Sequence, residues 1–396
     1  MRVIIFIGMI STLLIATHYY LFRRWVKAPN LNPRMRQVSI IVLSLLPLVM
    51  VGSIRMARTG FDQSVSAWAY VGFGYMGFLF FALLLTVTSH LITVILDRWT
   101  PVLKVNSQGK DIAKPERRAL LAKGAAGLSL LGSSALSAQG LKEGMSPPHL
   151  NRLDVALADL PEDLEGFRIV QLSDVHIGPT LRADFLESVV EQVNALSPDM
   201  VAITGDLVDG SVSQLKEHVR PLEKLRSRYG TFFTTGNHEY YSGADDWITF
   251  LESIGIKVLR NEHLTLMHNQ SPIDIIGVDD WQAKRFGGDH GHDLPKAVKN
   301  RRQGHIGVLL AHQPKSIFEA AEHKIDLVLS GHTHGGQLWP FRFMVMLVQP
   351  YLEGLYQHND RTSIFVHRGT GYWGVPMRLG VQAEIAELTL TRSLQA

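Results

Sequence analysis

The stretch Leu327–Gln337, LVLSGHTHGGQ, decides how this chain is interpreted. A short apolar run that suits a buried β-strand is followed at once by two histidines spaced two residues apart. The same pattern, an apolar run that ends in a short polar cluster, recurs through the second half of the chain. The other clusters are Asp174-Val175-His176, Gly205-Asp206, Gly236-Asn237-His238-Glu239 and the single His312. Several strand ends could therefore direct carboxylate, amide and imidazole groups towards one point, which is how a site for two metal ions is built.

From about residue 152, short apolar runs alternate with amphipathic stretches. This alternation predicts an α/β domain with a partly parallel sheet, in which the polar clusters lie at the carboxyl ends of strands. The predicted strands are 167–172, 200–204, 231–235, 273–278, 306–311, 327–330, 363–367 and 384–390. The predicted helices are 181–196, 214–226, 245–254 and one after Pro314.

The first 140 residues have a different composition and predict a transmembrane region of about four helices. The apolar runs are 3–22, 38–54, 67–96 and 119–138. Their lengths are close to or above the roughly 17–25 residues that a spanning helix needs. Buried helices of a soluble protein are the alternative, but such long helices normally show a polar face. Residues 141–151, which include Pro147-Pro148, are predicted to be a linker to a catalytic domain at 152–396.

Basic residues predict the orientation of these helices. Positive charges concentrate in 23–36 and in 98–118, which the positive-inside rule assigns to the cytoplasm. We therefore expect a multi-pass protein of the bacterial inner membrane, with its catalytic domain on the extracytoplasmic face. The segment Glu116–Leu121 also resembles the start of a twin-arginine export signal, so the last helix is either retained or cleaved.

Charge and composition exclude several classes of function. The net charge of +3 combines +11 in residues 1–150 with −8 in the remainder, so the catalytic half repels nucleic acid rather than attracting it. We therefore expect no nucleic-acid partner. The chain has no cysteine, which excludes disulfides, thiolate ligands and a cysteine nucleophile.

Two of the polar clusters share a spacing of two residues, Asp174 with His176 and His332 with His334. On an extended segment that leaves a strand, side chains two apart point to the same side, so each pair could hold one cation. Asp206 follows a glycine that permits a tight turn, and its carboxylate could bridge two ions.

Asn237 and His238 are adjacent, so on an extended backbone they cannot point the same way. One of them is then a metal ligand and the other faces substrate. Oxygen and imidazole ligands without sulfur suit Mn, Fe, Zn or Co, and a carboxylate-bridged metal pair is a recurring hydrolytic device. Each short pattern alone is more often a turn or a cap, and the ligand set would also fit a two-metal amidohydrolase. Their ordered combination is harder to dismiss than any one pattern.

In this order, Asp-x-His, Gly-Asp, Gly-Asn-His-Glu, His and Gly-His-x-His resemble the motifs of the calcineurin-like metallophosphoesterase superfamily over about residues 152–392. The strings Leu172–Gly178, Gly205–Asp209 and Gly331–Gln337 resemble its bacterial branch of membrane-attached or twin-arginine-exported enzymes. The resemblance implies an α/β fold, a four-layer αββα sandwich of two mixed sheets, preceded here by the transmembrane helical region.

The resemblance also implies a role for each polar residue around two divalent cations, with Mn, Zn and Fe as candidates. One cation would take Asp174, His176 and His334, the other would take Asn237, His312 and His332, and Asp206 would bridge them. His238 would be catalytic, stabilising transition-state charge or protonating the leaving oxygen. Glu239 and Asp209 would orient imidazoles or meet substrate, with a capping or solvated role as the alternative.

The predicted function is hydrolysis of a phosphomonoester, phosphodiester or pyrophosphate by a hydroxide that bridges the two cations. The substrate would be a phosphorylated small molecule or a lipid-linked or envelope compound. The alternative is a non-catalytic membrane sensor that binds a phosphorylated ligand through the same fold.

The apolar segment Leu338–Tyr356 follows the last histidine cluster directly. Two interpretations remain open for it. It either dips into the membrane interface and admits a lipid-borne phosphate, or packs onto the domain as a strand or cap.

Overall fold

The computed structural model describes residues 2–57, 63–99 and 114–392, with side chains described in 8–56, 66–96 and 118–392. The chain divides into two compact units, 1–59 with 67–141 and 60–66 with 142–396. The helices are α1 Arg2–Phe22, α2 Pro33–Ala57, α3 Gln63–Trp99, α4 Lys114–Gly144, α5 Ala183–Leu196, α6 Val212–Val219, α7 Asn237–Ser242, α8 Ala244–Ser253, α9 Leu294–Ala297, α10 Ile317–Glu322 and α11 Arg342–Met346. The strands are β1 His149–Leu157, β2 Arg168–Leu172, β3 Met200–Ile203, β4 Thr231–Phe233, β5 Lys257–Val258, β6 Glu262–His268, β7 Ser271–Gly277, β8 Ile306–Leu310, β9 Leu327–Ser330, β10 Gly354–Gln357, β11 Ser363–Val366 and β12 Glu384–Arg392.

The first unit consists of long apolar helices. Among the described residues, three segments are long and apolar enough to cross a membrane, namely Pro33–Met56, Ser66–Leu96 and Arg118–Gly144. Their large apolar side chains face outward, as Leu128 does with 74% of its surface exposed. These helices support membrane association. The first predicted span, 3–22, lies within α1, but its first side chains and most of the basic stretch 98–118 fall outside the described residues.

The predicted linker at 141–151 is shorter than the sequence indicated. The helix α4 continues to Gly144 and β1 begins at His149, which leaves Met145–Pro148 between them. β1 forms because Leu153, Val155 and Leu157 alternate with polar residues and join a buried core on one face. It pairs in parallel with β12 from the far end of the chain, a partner that no local pattern announces.

Within the described residues, two six-stranded sheets form the second unit. The strand order is β1-β12-β2-β3-β4-β5 in the first and β10-β11-β9-β8-β7-β6 in the second. In the first sheet β12 runs antiparallel to β2, and in the second β6 and β10 run antiparallel to their neighbours. Both sheets are therefore mixed, which confirms the predicted α/β class. The sequence analysis missed the edge strands β5, β6 and β10.

Successive side chains of a strand point to opposite faces of its sheet and pack in different cores, so the second unit has four layers. In β2, Ile169 belongs to the core between the two sheets, whereas Val170 and Leu172 belong to a core that includes Val189 of α5 and Trp247 of α8. On the other side, residues of β7, β8, β9 and β11 pack with α9 and α10 in a third core. The strands β3, β8, β9 and β11 are buried on both faces, which explains their continuous apolar runs.

The two sheets together place the polar clusters. β2, β3 and β4 of the first sheet run parallel and are followed by Asp174, Asp206 and Asn237. β8 and β9 of the second sheet run parallel and are followed by His312 and His332. Because parallel strands end at the same edge of a sheet, each sheet places its proposed ligands at one edge.

Candidate metal centre

Six predicted metal ligands form two clusters. In the first, His334 Nε2 lies 3.1 Å from His176 Nε2 and 3.2 Å from Asp174 Oδ1. In the second, His312 Nε2 lies 3.1 Å from Asp206 Oδ2 and 3.1 Å from His332 Nδ1. Within each cluster the candidate ligand atoms all lie within 4.8 Å of one another. Each cluster therefore presents three ligand atoms to one point.

Asp206 joins the two clusters. Its Oδ2 atom is 3.1 Å from His312 Nε2 in the second cluster and 4.0 Å from His176 Nε2 in the first. Its other oxygen, Oδ1, accepts a 2.8 Å hydrogen bond from the backbone N–H of His238. The carboxylate is thus fixed in the position that a bridging ligand needs.

Asn237 supplies an independent test of whether divalent cations fit here. Its Oδ1 atom is buried, and no donor among the described residues hydrogen-bonds to it. A buried carbonyl oxygen without a partner is destabilising, by about 1–3 kcal/mol. In both clusters, imidazole nitrogens also face each other at 3.1 Å, an arrangement that a shared cation satisfies. Oxygen and nitrogen ligands of this kind fit a divalent cation such as Mn, Fe or Zn.

The backbone at the ligands differs from the extended geometry that the sequence analysis expected. Asp174, His176, Asp206, His332 and His334 have φ values of 52°, 52°, 52°, 71° and 51°. The paired side chains therefore converge through left-handed turns, not through an extended strand exit. Each such residue costs of order 1–3 kcal/mol and persists only where surrounding structure enforces it, as at functional sites. Asn237 is likewise not extended, because it is the first residue of α7.

Gly331 shows how closely the loops approach. A Cβ atom at this position would overlap Ser173 Oγ and Asp174 Oδ2. The backbone N–H of His332 donates to both carboxylate oxygens of Asp174, at 3.0 and 2.9 Å. The loop that follows β9 in the second sheet is therefore hydrogen-bonded directly to Asp174, a proposed ligand that follows β2 in the first sheet.

Further contacts set the orientation of the imidazoles. His176 Nδ1 is 3.0 Å from Asp209 Oδ1, and His312 Nδ1 is 2.8 Å from the carbonyl oxygen of Thr204. Both contacts leave Nε2 free to face the cluster. His238 lies outside the two ligand clusters, with its Nδ1 2.5 Å from the same Asp209 oxygen and its side chain 15% exposed. Asp209 therefore touches both a proposed ligand and the proposed catalytic histidine.

Glu239 occupies a different environment from the one that the imidazole-orienting interpretation predicts. The side chain is buried and accepts three backbone hydrogen bonds, from Gly236 at 2.6 Å, Asp206 at 2.9 Å and Leu207 at 2.7 Å. It contacts neither bulk solvent nor an imidazole through these bonds. Its capping interactions tie the turn after β3 to the start of α7.

Electrostatics divide the imidazoles of the site, because the pKa values of His332 and His334 are lowered whereas nearby carboxylates, Asp206 foremost, raise those of His238 and His312. Burial, together with the neighbouring His312, lowers the pKa of His332 to about 3, and burial lowers the pKa of His334 to about 4. Both therefore stay neutral, as metal ligation requires. For His238, burial lowers the pKa, but the carboxylates of Asp206 and Asp209 outweigh it and raise the pKa to about 9.

Two aromatic rings border His238. The ring centroids of Tyr241 and Trp373 lie 5.2 and 5.9 Å from that of His238, and both side chains are more than half exposed. Trp373 is held by Gln337, whose side chain accepts from the Trp373 N–H at 2.9 Å and donates to its carbonyl oxygen at 3.0 Å. The sequence analysis did not identify either ring as part of the site, since exposed aromatics carry no local motif.

The sequence analysis also missed Arg378, a fully buried arginine. Its guanidinium donates to the carbonyl oxygens of Arg368 and Gly369, at 2.9 and 3.2 Å, and lies 3.5 Å from His334 Nδ1. Burial lowers its pKa to about 10. The loop that it holds continues to Gly371, whose N–H donates to the carbonyl oxygen of Asp174 at 3.0 Å. Arg378 thereby stabilises the loop that is hydrogen-bonded to Asp174 of the first cluster.

Comparison with known proteins places this geometry in a family. Residues 167–336 match the model for calcineurin-like phosphoesterases. An uncharacterized metallophosphoesterase of Helicobacter pylori is 42% identical over 259 residues, covering 65% of this chain and 68% of its own length. A transmembrane protein with a metallophosphoesterase domain from Danio rerio is 40% identical over 275 residues, covering 67% of this chain and 62% of its own length.

A solved structure gives a more distant match. NAD nucleotidase of Haemophilus influenzae is 19% identical, with 52% of this chain and 45% of that chain covered at a TM-score of 0.37. The relatives include vertebrate as well as bacterial proteins, so the similarity does not single out the bacterial twin-arginine-exported branch. The Helicobacter relative is matched over more than two thirds of its length. The chain therefore belongs to the calcineurin-like metallophosphoesterase family.

Proposed function

We propose that the chain is a phosphoesterase that uses two divalent cations to hydrolyse a phosphomonoester, phosphodiester or pyrophosphate. The observation that carries this proposal is Asp206 Oδ2, which belongs to the cluster with His312 and His332 and lies 4.0 Å from His176 Nε2 of the other cluster. Asp174, His176 and His334 would hold one cation, Asn237, His312 and His332 the other, and Asp206 both. Mn, Zn and Fe all suit this ligand set.

Two cations held there would neutralise phosphoryl charge and acidify a water molecule. The residues of the chain would supply orientation and proton transfer. Asp209 fixes His238 through Nδ1, and the carboxylates of Asp206 and Asp209 raise the pKa of that imidazole to about 9. His238 is then suited to donate a proton to the leaving oxygen or to stabilise charge on the phosphoryl group. Tyr241 and Trp373 would contact the leaving group, because they flank His238.

The non-catalytic sensor is the less favoured alternative, since both clusters and His238 are complete. Purified full-length protein should hydrolyse an aryl phosphodiester when supplied with Mn²⁺, Zn²⁺ or Fe²⁺. The variant H238A should lose most of this turnover, whereas H323A, in a histidine remote from the clusters, should keep it. A wild-type protein that binds metal but shows no turnover with any of these cations would favour the sensor.

We further propose a multi-pass protein of the bacterial inner membrane with the metallophosphoesterase unit on the extracytoplasmic face. The supporting observations are three helices of spanning length and the basic stretch 23–36. In this proposal α4 is retained as an anchor. Alkaline phosphatase fused to the carboxyl terminus should be active, and a fused cytoplasm-dependent fluorescent protein should be dark. The reverse pattern would refute the orientation.

A further inference from the structure

The segment that follows the metal centre has an unusual surface. From Trp339 to Val348 the large apolar side chains lie in the open, and we call these ten residues the apolar segment. The exposed members, each between 46% and 78% exposed, are Trp339, Phe341, Phe343, Met344, Met346, Leu347 and Val348. The helix α11 within it buries none of its residues. Contiguous exposed apolar surface of this kind marks a site of interaction with a membrane or another protein.

Polar contacts hold the apolar segment in this outward position. Arg342, its only charged residue, donates to Glu353 at 2.8 Å, and Glu353 also forms an ion pair with Arg368 at 2.9 Å. At its start, the Trp339 N–H donates to the carbonyl oxygen of Leu379 at 3.0 Å. The segment is therefore attached to the domain by its polar groups, and this attachment leaves about half or more of each large apolar side chain named above exposed.

The apolar segment is joined to the catalytic edge. Gln337, which immediately precedes Leu338 and the segment, holds the backbone of Trp373, whose ring borders His238. His334, a proposed ligand, is only five residues before Trp339. The start of the apolar segment is therefore tied, through Gln337 and Trp373, to the ring that borders His238.

We propose that the apolar segment inserts into the lipid bilayer surface and presents lipid-borne phosphates to the metal centre. This inference rests on the proposed phosphoesterase function and specifies its substrate class. Two features favour lipid over a protein partner. No acidic residue occurs from Gly335 to Leu352, and the exposed Trp and Phe side chains suit the interfacial region of a bilayer.

The absence of cysteine permits a direct test in the full-length chain. M346C and M267C introduce one labelling site each, at methionines that are both 55% exposed. Met267 pairs with Pro272 at the start of β7, the end of the sheet opposite to the ligands. Each protein would carry an environment-sensitive fluorophore and be reconstituted in phosphatidylcholine nanodiscs, with or without nitroxide-labelled acyl chains. We expect the nitroxide to quench the label at position 346 and to leave the label at 267 almost unaffected.

Equal quenching at both positions, or none at either, would overturn the proposal. Label–label quenching at position 346 that rises with protein concentration, without nitroxide quenching, would assign the apolar segment to a second copy and would also overturn it. These outcomes do not depend on turnover, so they separate failure of this inference from failure of the phosphoesterase proposal.

A second measurement connects the apolar segment to substrate. The variant F343S/M346S/L347S is compared with M267S on a phospholipid phosphate in nanodiscs and on a soluble aryl phosphodiester. The ratio of bilayer to soluble turnover should fall roughly ten-fold in the triple variant, because the lost apolar groups weaken insertion. Equal losses on both substrates would contradict the inference. A wild type inactive on both would refute the phosphoesterase proposal, and the quenching contrast would stand separately.

Discussion

Residues 331–337 and 339–348 are neighbours in the chain but opposite in environment. The first stretch carries two histidines into the protein, next to buried Asp174 and His312, whereas the second leaves Leu347 and other apolar side chains exposed. Both invert the usual distribution of polar and apolar groups. Such inversions persist when something outside the chain compensates them, and in the two proposals made above cations compensate the first stretch and lipid the second. The comparison therefore concerns two proposed binding functions that adjoin in sequence.

The largest effect on activity should come from a change in the buried polar residues of the proposed metal centre. D206N removes the charge that links the two clusters, so we expect loss of at least one bound cation and of detectable phosphodiester hydrolysis. D159N, the same change at a carboxylate that is 78% exposed, is the matched control. Metal analysis and turnover of the same samples measure both effects. A fully active D206N would contradict the bridging role.

Replacement of His238 should separate catalysis from metal binding. H238A should lower kcat by about 10²–10⁴-fold, the usual contribution of a positioned proton donor, while both cations remain bound. Metal content and kcat should be determined on one preparation. A comparable loss of metal would instead make His238 a ligand.

A smaller effect is expected for Asp209, which touches His176 and His238. D209N should reduce metal affinity or kcat by about 10–100-fold, because the imidazoles lose the carboxylate that orients them. Titration of the metal-free protein with Mn²⁺ and a kcat measurement distinguish the two. An unchanged variant would show that the imidazoles are oriented by other contacts.

The apolar segment should show the smallest effect on stability. L347S should change the free energy of unfolding by less than about 0.5 kcal/mol, because the side chain has no buried contacts to lose. L329A, in the core between the sheets, should lower it by about 2–5 kcal/mol. Denaturation in detergent measures both. A large loss in L347S would show that the segment is part of the fold rather than a binding surface.

Sequence alone predicted that the polar clusters follow strands, because each comes after an apolar run and strand ends are readable from local pattern. It did not predict the left-handed backbone at Asp174 and His176, since that conformation is imposed by loops that meet only in three dimensions. Arg378 was missed for the same reason, because its partners are carbonyl oxygens and backbone groups carry no sequence signature.

For the fold too, local patterns predicted some elements, whereas elements that depend on distant contacts were missed. β2, β3, β8 and β9 were predicted near their observed bounds, because burial on both faces makes them continuously apolar. β1 was assigned in part to the linker, since its pairing with β12 joins residues at opposite ends of the domain. The two interpretations of Leu338–Tyr356 apply to different parts of it, because Leu338 and Leu352 are buried and β10 pairs with β11, whereas α11 buries none of its residues.

The central claim is that far-apart side chains hold two cations with Asp206 between them. The most direct test is to count divalent metal per chain by elemental analysis of purified full-length protein, after saturation with Mn²⁺ and removal of free ion. Two equivalents for the wild type, with fewer for D206N and no change for D159N, are the predicted result. A wild type that retains no more metal than D206N would contradict the account.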